Sequence, residues 1–144
     1  MQNIDPRLAP IKDCLYRVAV KALVMQDAKY LLVKDRGDTD WSFPGGGIDY
    51  GESALAALIR ELHEEIGVNP QDIATDGVIV FTAIGHINSG IPRLNLFYKV
   101  TVPVNKVIAG KDVSDFGWFS LAQIQKLKLN SSTGDILGQL QKLN

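Results

Sequence analysis

The sequence predicts a mixed α/β or α+β fold in which one β-sheet is covered by helices. Three observations carry that class: an alternating apolar run over residues 14–25, a helical stretch free of Gly and Pro over 53–66, and β-rich runs at 78–83, 94–102 and 116–119. Strands therefore precede and follow one well-marked helix. A chain of 144 residues fits one domain spanning 1–144, with little room for a second independent core. Apolar residues make up 46% and charged residues 22%, as in ordinary folded domains and unlike disordered chains.

The elements follow in order. Residues 1–10 are polar with two prolines and lack the apolar run of a signal peptide. In CLYRVAVKALVM, Tyr16, Val18, Val20, Ala22 and Val24 share one parity while Arg17 and Lys21 take the other, which predicts a strand with one wetter face. The short gap Gln26-Asp27-Ala28 before KYLLV predicts a hairpin. The charged loop KDRGDTD leads into WSFPGGG, where Pro44 and three glycines exclude helix and predict a strand end entering a tight loop. Over 53–66, Ala, Leu and Glu dominate, with Ser53 placed to cap the helix and Gly67 to end it. Two strand runs flank a loop carrying Gly85, Gly90 and Pro92. A last short strand at 116–119 precedes helical patterns at 121–127 and 133–140. The segment 130–144 is expected either to pack on its own domain or to contribute to a homodimer.

Charge and cysteine usage exclude several function classes. Lys and Arg number 15 against 16 Asp and Glu, so the net charge of −1 argues against general attraction to nucleic acid or anionic membrane, and phosphate binding must be local. Cys14 is the sole cysteine, which rules out an internal disulfide or a cysteine zinc site and fits a cytoplasmic location. No run approaches the length of a membrane span.

Chemistry concentrates on the helix. With Glu61 set at zero on a helical wheel, Leu58, Leu62, Leu55, Ile66 and Ile59 cover roughly 60° to 160°, a core stripe. Glu64 and Glu65 share a narrow arc with Glu61 beside that stripe, together with Ala54 and Ala57. Glu61 and Glu65 form an unfavourable like-charge pair at i,i+4, and they stand near the helix C-terminus, where the macrodipole disfavours anions. A hard divalent cation such as Mg²⁺ or Mn²⁺ would supply the missing positive charge, and Gly45 or Gly46 could add a carbonyl oxygen.

Taken together, Gly46, Glu52, Arg60-Glu61-Leu62, Glu64-Glu65 and Gly67-Val68 resemble the Nudix box, G-x5-E-x7-R-E-U-x-E-E-x-G-U with U aliphatic. Average residue frequencies put a chance match at about 10⁻⁷ or less. The resemblance covers residues 46–68, and the W-x-F-P-G-G approach and Asp115 before Trp118-Phe119 are similar to the family's flanks. It implies an α/β/α sandwich with a mixed sheet, and a pyrophosphohydrolase that uses Mg²⁺ (or Mn²⁺) to cleave nucleoside diphosphates linked to another moiety. It also implies that Glu61, Glu64 and Glu65 are metal ligands or, for one of them, the base, with the Gly45 carbonyl as a further ligand. Arg60 and Glu52 would brace the loop against the helix, and Glu61 or Asp115 would act as the base.

Outside the box, Arg17, Lys34 and Arg36 are candidates for contacting phosphates. Trp41 or Phe43 could stack on a base, and Asn95 could read a base edge. The residues that mark ADP-ribose and diadenosine polyphosphate hydrolases in the resembled family are replaced here by Thr82, Ala83 and 84–86. A small MutT-like enzyme acting on nucleoside triphosphates is therefore the expectation, with a small nucleotide as its partner. The alternatives are a non-catalytic nucleotide-binding regulator and an RNA 5′-end pyrophosphohydrolase. The latter would need a basic track that the near-neutral charge disfavours.

Overall fold

A computed structural model describes residues 6–10, 15–86 and 90–143. Cys14, residues 1–5, part of the 85–92 loop and residue 144 lie outside that description. The hairpin forms as the sequence predicts: β1 (Arg17–Gln26) and β2 (Lys29–Asp35) join through Asp27 and Ala28, both at positive φ (50° and 58°). That two-residue geometry matches the twist of the strands it connects. Together with β3 (Ile79–Gly85), β4 (Arg93–Val100) and β5 (Val113–Ser120), the hairpin builds a sheet of order β3-β4-β1-β2-β5 among the described residues. β1 runs parallel to β4, and the other strand pairs are antiparallel.

Both faces of the sheet are covered, which gives the α/β/α sandwich. On one face Val20, Ala22, Val24, Leu31 and Val33 pack against Leu58, Leu62 and Ile66 of helix α1 (Ala54–Ile66). On the other, Leu23, Tyr30, Leu32 and Phe97 pack against Ile124, Ile136 and Leu140. The expected wetter face of β1 is therefore corrected. Positions 19–24 are all buried and Lys21 is only 4% exposed, because the strand is central and the C-terminal segment lies over its second face.

α1 keeps the expected ends. The Ser53 hydroxyl accepts from the Ala56 amide at 3.2 Å, and Gly67, at φ 66°, donates its N–H to the His63 carbonyl. Its buried stripe is rotated from the expected one to Ala57, Leu58, Leu62 and Ile66, while Leu55 is 39% exposed and Ile59 is half-buried. Ala57 carries too little side chain to hold the helix off the sheet, so the helix rolls toward it and draws the carboxylate arc partly under the neighbouring loop.

The C-terminal helices are shorter than expected. α2 (Leu121–Ile124) starts from a capping box at Ser120, and α3 (Leu137–Leu143) follows a 3-10 turn, Ser131–Thr133. Gly134, at φ 81°, separates that turn from α3. Ile136 and Leu140 are fully buried, so this segment packs on its own chain. No helix among the described residues is long and apolar enough to cross a membrane.

Candidate active site

The glycine segment is extended along β1 rather than tightly turned, correcting the expected loop. Ser42 exchanges both backbone hydrogen bonds with Val33, at 2.9 Å each. From there the chain runs antiparallel to β1: the Ala22 amide donates to the Pro44 carbonyl at 2.8 Å, and the Val20 amide to that of Gly46 at 2.9 Å. Two glycines are closely approached, Gly45 by backbone and Gly46 by a side chain. A Cβ on Gly45, at φ 132°, would lie 2.1 Å from the Val20 carbonyl oxygen, and one on Gly46 would lie 2.5 Å from Glu61 Oε1.

Against this segment α1 presents its carboxylates. Glu61, 15% exposed at its side chain, sits over Gly46 and accepts from Arg60 Nη1 at 2.8 Å. Glu65 accepts from the Gly45 amide at 2.7 Å, and burial pushes its carboxyl up to about 7 against the pull of Lys21. Glu64 is 58% exposed and lies 3.6 Å from Arg60 Nη1. Arg60 also donates from Nε and Nη2 to the two oxygens of Glu52, at 2.8 and 2.9 Å, and from Nη2 to the Gly47 carbonyl at 3.2 Å. Those bonds, with one from the Asp49 amide, hold the Glu52 carboxyl down at about 2. The uncompensated charge inferred from the sequence is thus corrected: Arg60 faces Glu61 and Glu64, and Lys21 faces Glu65.

The other candidates are scattered. Arg17 donates to the Ile48 carbonyl at 3.1 Å and covers Gly47, beside the carboxylate face. Lys34 Nζ sits 4.5 Å from the Trp41 ring centroid, and Trp41 meets Phe119 edge-on, so both are engaged within the second layer. Phe43 is fully buried in the core. Arg36 donates to the Lys111 carbonyl at 2.8 Å. Asn95 is wholly buried, and its amide nitrogen donates to the carbonyls of Ala83, Ser132 and Thr133. It ties the sheet to the C-terminal segment and presents no edge to a base, which corrects its expected role. Asp115 pairs in register with Lys34, on the sheet face away from α1, so the structure does not bring it to Glu61.

Three residues near the carboxylates were not singled out from the sequence. Lys21 donates to the carbonyls of Phe43 at 3.2 Å and Gly45 at 3.0 Å, and burial lowers its pKa. Asp35, with its pKa raised by burial, interacts with Lys21. Arg93 stands in register with Arg17, and its buried Nε has no hydrogen-bond partner among the described residues. A lysine inside the run VAVKALV was the available signal for a buried, partnered cation.

For a divalent ion the donor chemistry fits. Three carboxylates and a glycine backbone offer hard oxygens on one face, and a bound cation would offset the burial that pushes the Glu65 carboxyl up to about 7. As the side chains stand, with Glu61 turned to Arg60 and Glu65 to the Gly45 amide, no three acidic, His or Cys groups among the described residues converge on one point.

The family model described as NUDIX domain matches residues 15–140. The chain belongs to the NUDIX family. A crystal structure of a MutT protein from Methanosarcina mazei superposes with a TM-score of 0.76 at 20% identity, over 92% of this NUDIX chain and 97% of that one. A MutT NUDIX hydrolase from Burkholderia pseudomallei reaches 0.70 at 25% identity, over 88% and 98%. Among curated relatives, an RNA pyrophosphohydrolase of Francisella tularensis is 60% identical over 38 residues, covering 26% of this chain and 24% of that protein. The match thus spans about a quarter of the curated relative's length.

Proposed function

We propose that this chain hydrolyses a phosphoanhydride bond in a nucleoside di- or triphosphate derivative with Mg²⁺ as cofactor and Mn²⁺ as its substitute, a nucleoside triphosphate being the favoured substrate class. One observation carries the reading: Glu65 and Glu61 lie on Gly45 and Gly46, with Glu64 3.6 Å from Arg60 beside them, and the Arg60–Glu52 fork braces that arrangement. Glu61, Glu64, Glu65 and the Gly45 carbonyl would hold the metal. That carbonyl keeps a second lone pair beyond its bond from Lys21. The bound ion supplies a lowered water pKa and charge neutralisation at the phosphates.

The chain's own groups do the rest. Arg60 and Glu52 fix the loop against the helix so that the carboxylates keep their spacing. The attacking water must lose a proton to a carboxylate, and Glu61, where it is not itself a metal ligand, is favoured over Asp115, which pairs with Lys34 on the other face of the sheet. Arg17, which covers Gly47, would meet phosphate oxygens.

A panel of NTPs, dNTPs, ADP-ribose, dinucleoside polyphosphates and 5′-triphosphorylated RNA, with Mg²⁺ and then with chelator, tests the reading. Turnover of one class that stops with chelator is expected, and Glu64→Gln or Glu65→Gln should lower it by about 100-fold or more with the fold retained. Silence across the panel, with nucleotide still raising Tm, would instead favour a binding regulator. The Francisella relative favours a second reading, an RNA 5′-end pyrophosphohydrolase. In that case the RNA arm alone would turn over.

A further inference from the structure

Lys21 lies in the middle of β1 and is 4% exposed, a setting hostile to an ammonium unless hydrogen bonds and opposite charge compensate it. The compensation comes from the glycine segment. In an extended chain successive carbonyls point to opposite sides. Those of Pro44 and Gly46 accept from the amides of Ala22 and Val20, while those of Phe43 and Gly45 accept from Lys21 Nζ at 3.2 and 3.0 Å. Three consecutive residues of β1 thus hold four consecutive carbonyls. Phe43, Pro44 and Gly45 are all buried, so an apolar side chain at position 21 would take the ammonium donor from two carbonyls in a buried stretch of chain. Gly45 is also held from its other end, where its amide donates to Glu65 Oε2 at 2.7 Å.

We propose that Lys21 is a positioning residue of the hydrolytic site: by gripping the Phe43 and Gly45 carbonyls and facing the Glu65 carboxylate, it assembles the glycine segment and the carboxylate face before any ligand arrives. Lys21 therefore acts through Gly45 and Glu65, and its contribution to turnover rests on the hydrolase reading. Its contribution to the architecture of the metal-free protein does not.

Two independent measurements test this. In the unchanged protein without metal, amide exchange followed by NMR should show Gly45 protected by about 100-fold or more over an open loop. Exchange at the open-loop rate would overturn the proposal. Second, Mn²⁺ affinity is read without nucleotide from the free-ion EPR signal, alongside kcat and KM, for Lys21→Met, Lys21→Arg and Leu23→Ala. Leu23→Ala serves as a core variant of β1 that destabilises and leaves the hydrogen bonds from residues 20–22 to the segment in place.

Lys21→Met is expected to weaken Mn²⁺ binding by about tenfold or more and to lower kcat by about 100-fold with KM little changed. Lys21→Arg should restore part of both, and Leu23→Ala should alter neither. Equal losses in Lys21→Met and Leu23→Ala at matched Tm would reduce Lys21 to a structural residue. Should Lys21→Met fail to fold, Lys21→Arg decides: a partial loss of Mn²⁺ affinity at an unchanged Tm supports the proposal, and an affinity equal to that of the unchanged protein, or one lost only in step with Tm, overturns it. If the unchanged protein hydrolyses no nucleotide, the hydrolase reading falls while the exchange and Mn²⁺ results still decide the role of Lys21.

Discussion

Glu52 shows how much one side chain does at this site without touching a substrate. Both of its oxygens accept from Arg60, at 2.8 and 2.9 Å, a fork that fixes distance and angle together. Its carboxyl is held at about 2 by the Arg60 bonds, below the ordinary 4.5, so the folded state gains from the ionised form. That gain is complete above about pH 4.5 and disappears as the pH falls through about 2. Thermal melts of Glu52→Gln and the unchanged protein should therefore differ most above pH 4.5 and converge in acid. A constant difference across that range would mean that the fork contributes no ionic stabilisation. Arg60→Lys should not restore the fork, because an ammonium cannot span two carboxylate oxygens in one plane.

At the scale of elements, the glycine segment and α1 make separable demands. A Cβ on Gly45 would strike backbone, the Val20 carbonyl at 2.1 Å, and φ 132° is disfavoured for any L side chain. A Cβ on Gly46 would meet the end of the Glu61 side chain, which can swing away. Gly45→Ala is therefore expected to lower Tm strongly, whereas Gly46→Ala should leave Tm nearly unchanged and weaken Mn²⁺ binding. Titration of both variants by calorimetry would separate them, and equal Tm losses would contradict the assignment. At the helix end, Gly67→Ala should cost about 1 kcal/mol from the left-handed C-cap alone. In denaturant unfolding this should appear as a lower midpoint with an unchanged slope.

Across the whole molecule, the C-terminal segment closes the second layer. Leu140 and Ile136 are fully buried against Leu23, Tyr30, Leu32 and Phe97, far in sequence from any of them. Leu140→Ala should cost roughly 2–5 kcal/mol, read by denaturant unfolding, and should reduce turnover only through the loss of folded protein. Net charge makes a prediction at the same scale. With a charge of −1 and cations such as Arg36 and Lys34 already engaged, RNA binding should show a shallow salt dependence, of a few phosphates at most. A steep slope would reveal a basic track and favour the RNA reading.

The sequence by itself determined whatever depends on local spacing. Glu61, Glu64 and Glu65 fall on one helix at i, i+3 and i+4, Ser53 and Gly67 bound that helix, and the Asp27-Ala28 turn closes the hairpin, because caps, turns and helical periodicity act over a few residues. Tertiary structure alone decided which face each residue meets. Lys21 was read as lying on a wetter face and is buried, because a strand whose paired residues lie 76 positions later joins β1 and the C-terminal segment covers it. Asn95 turned from a base-reading candidate into a tie to residues 132 and 133, and Asp115 fell on the far side of the sheet. Gly45, whose amide donates to Glu65 and whose carbonyl accepts from Lys21, joins three distant stretches of chain, and only the packing of the helix against the central strand brings them within hydrogen-bonding reach of it.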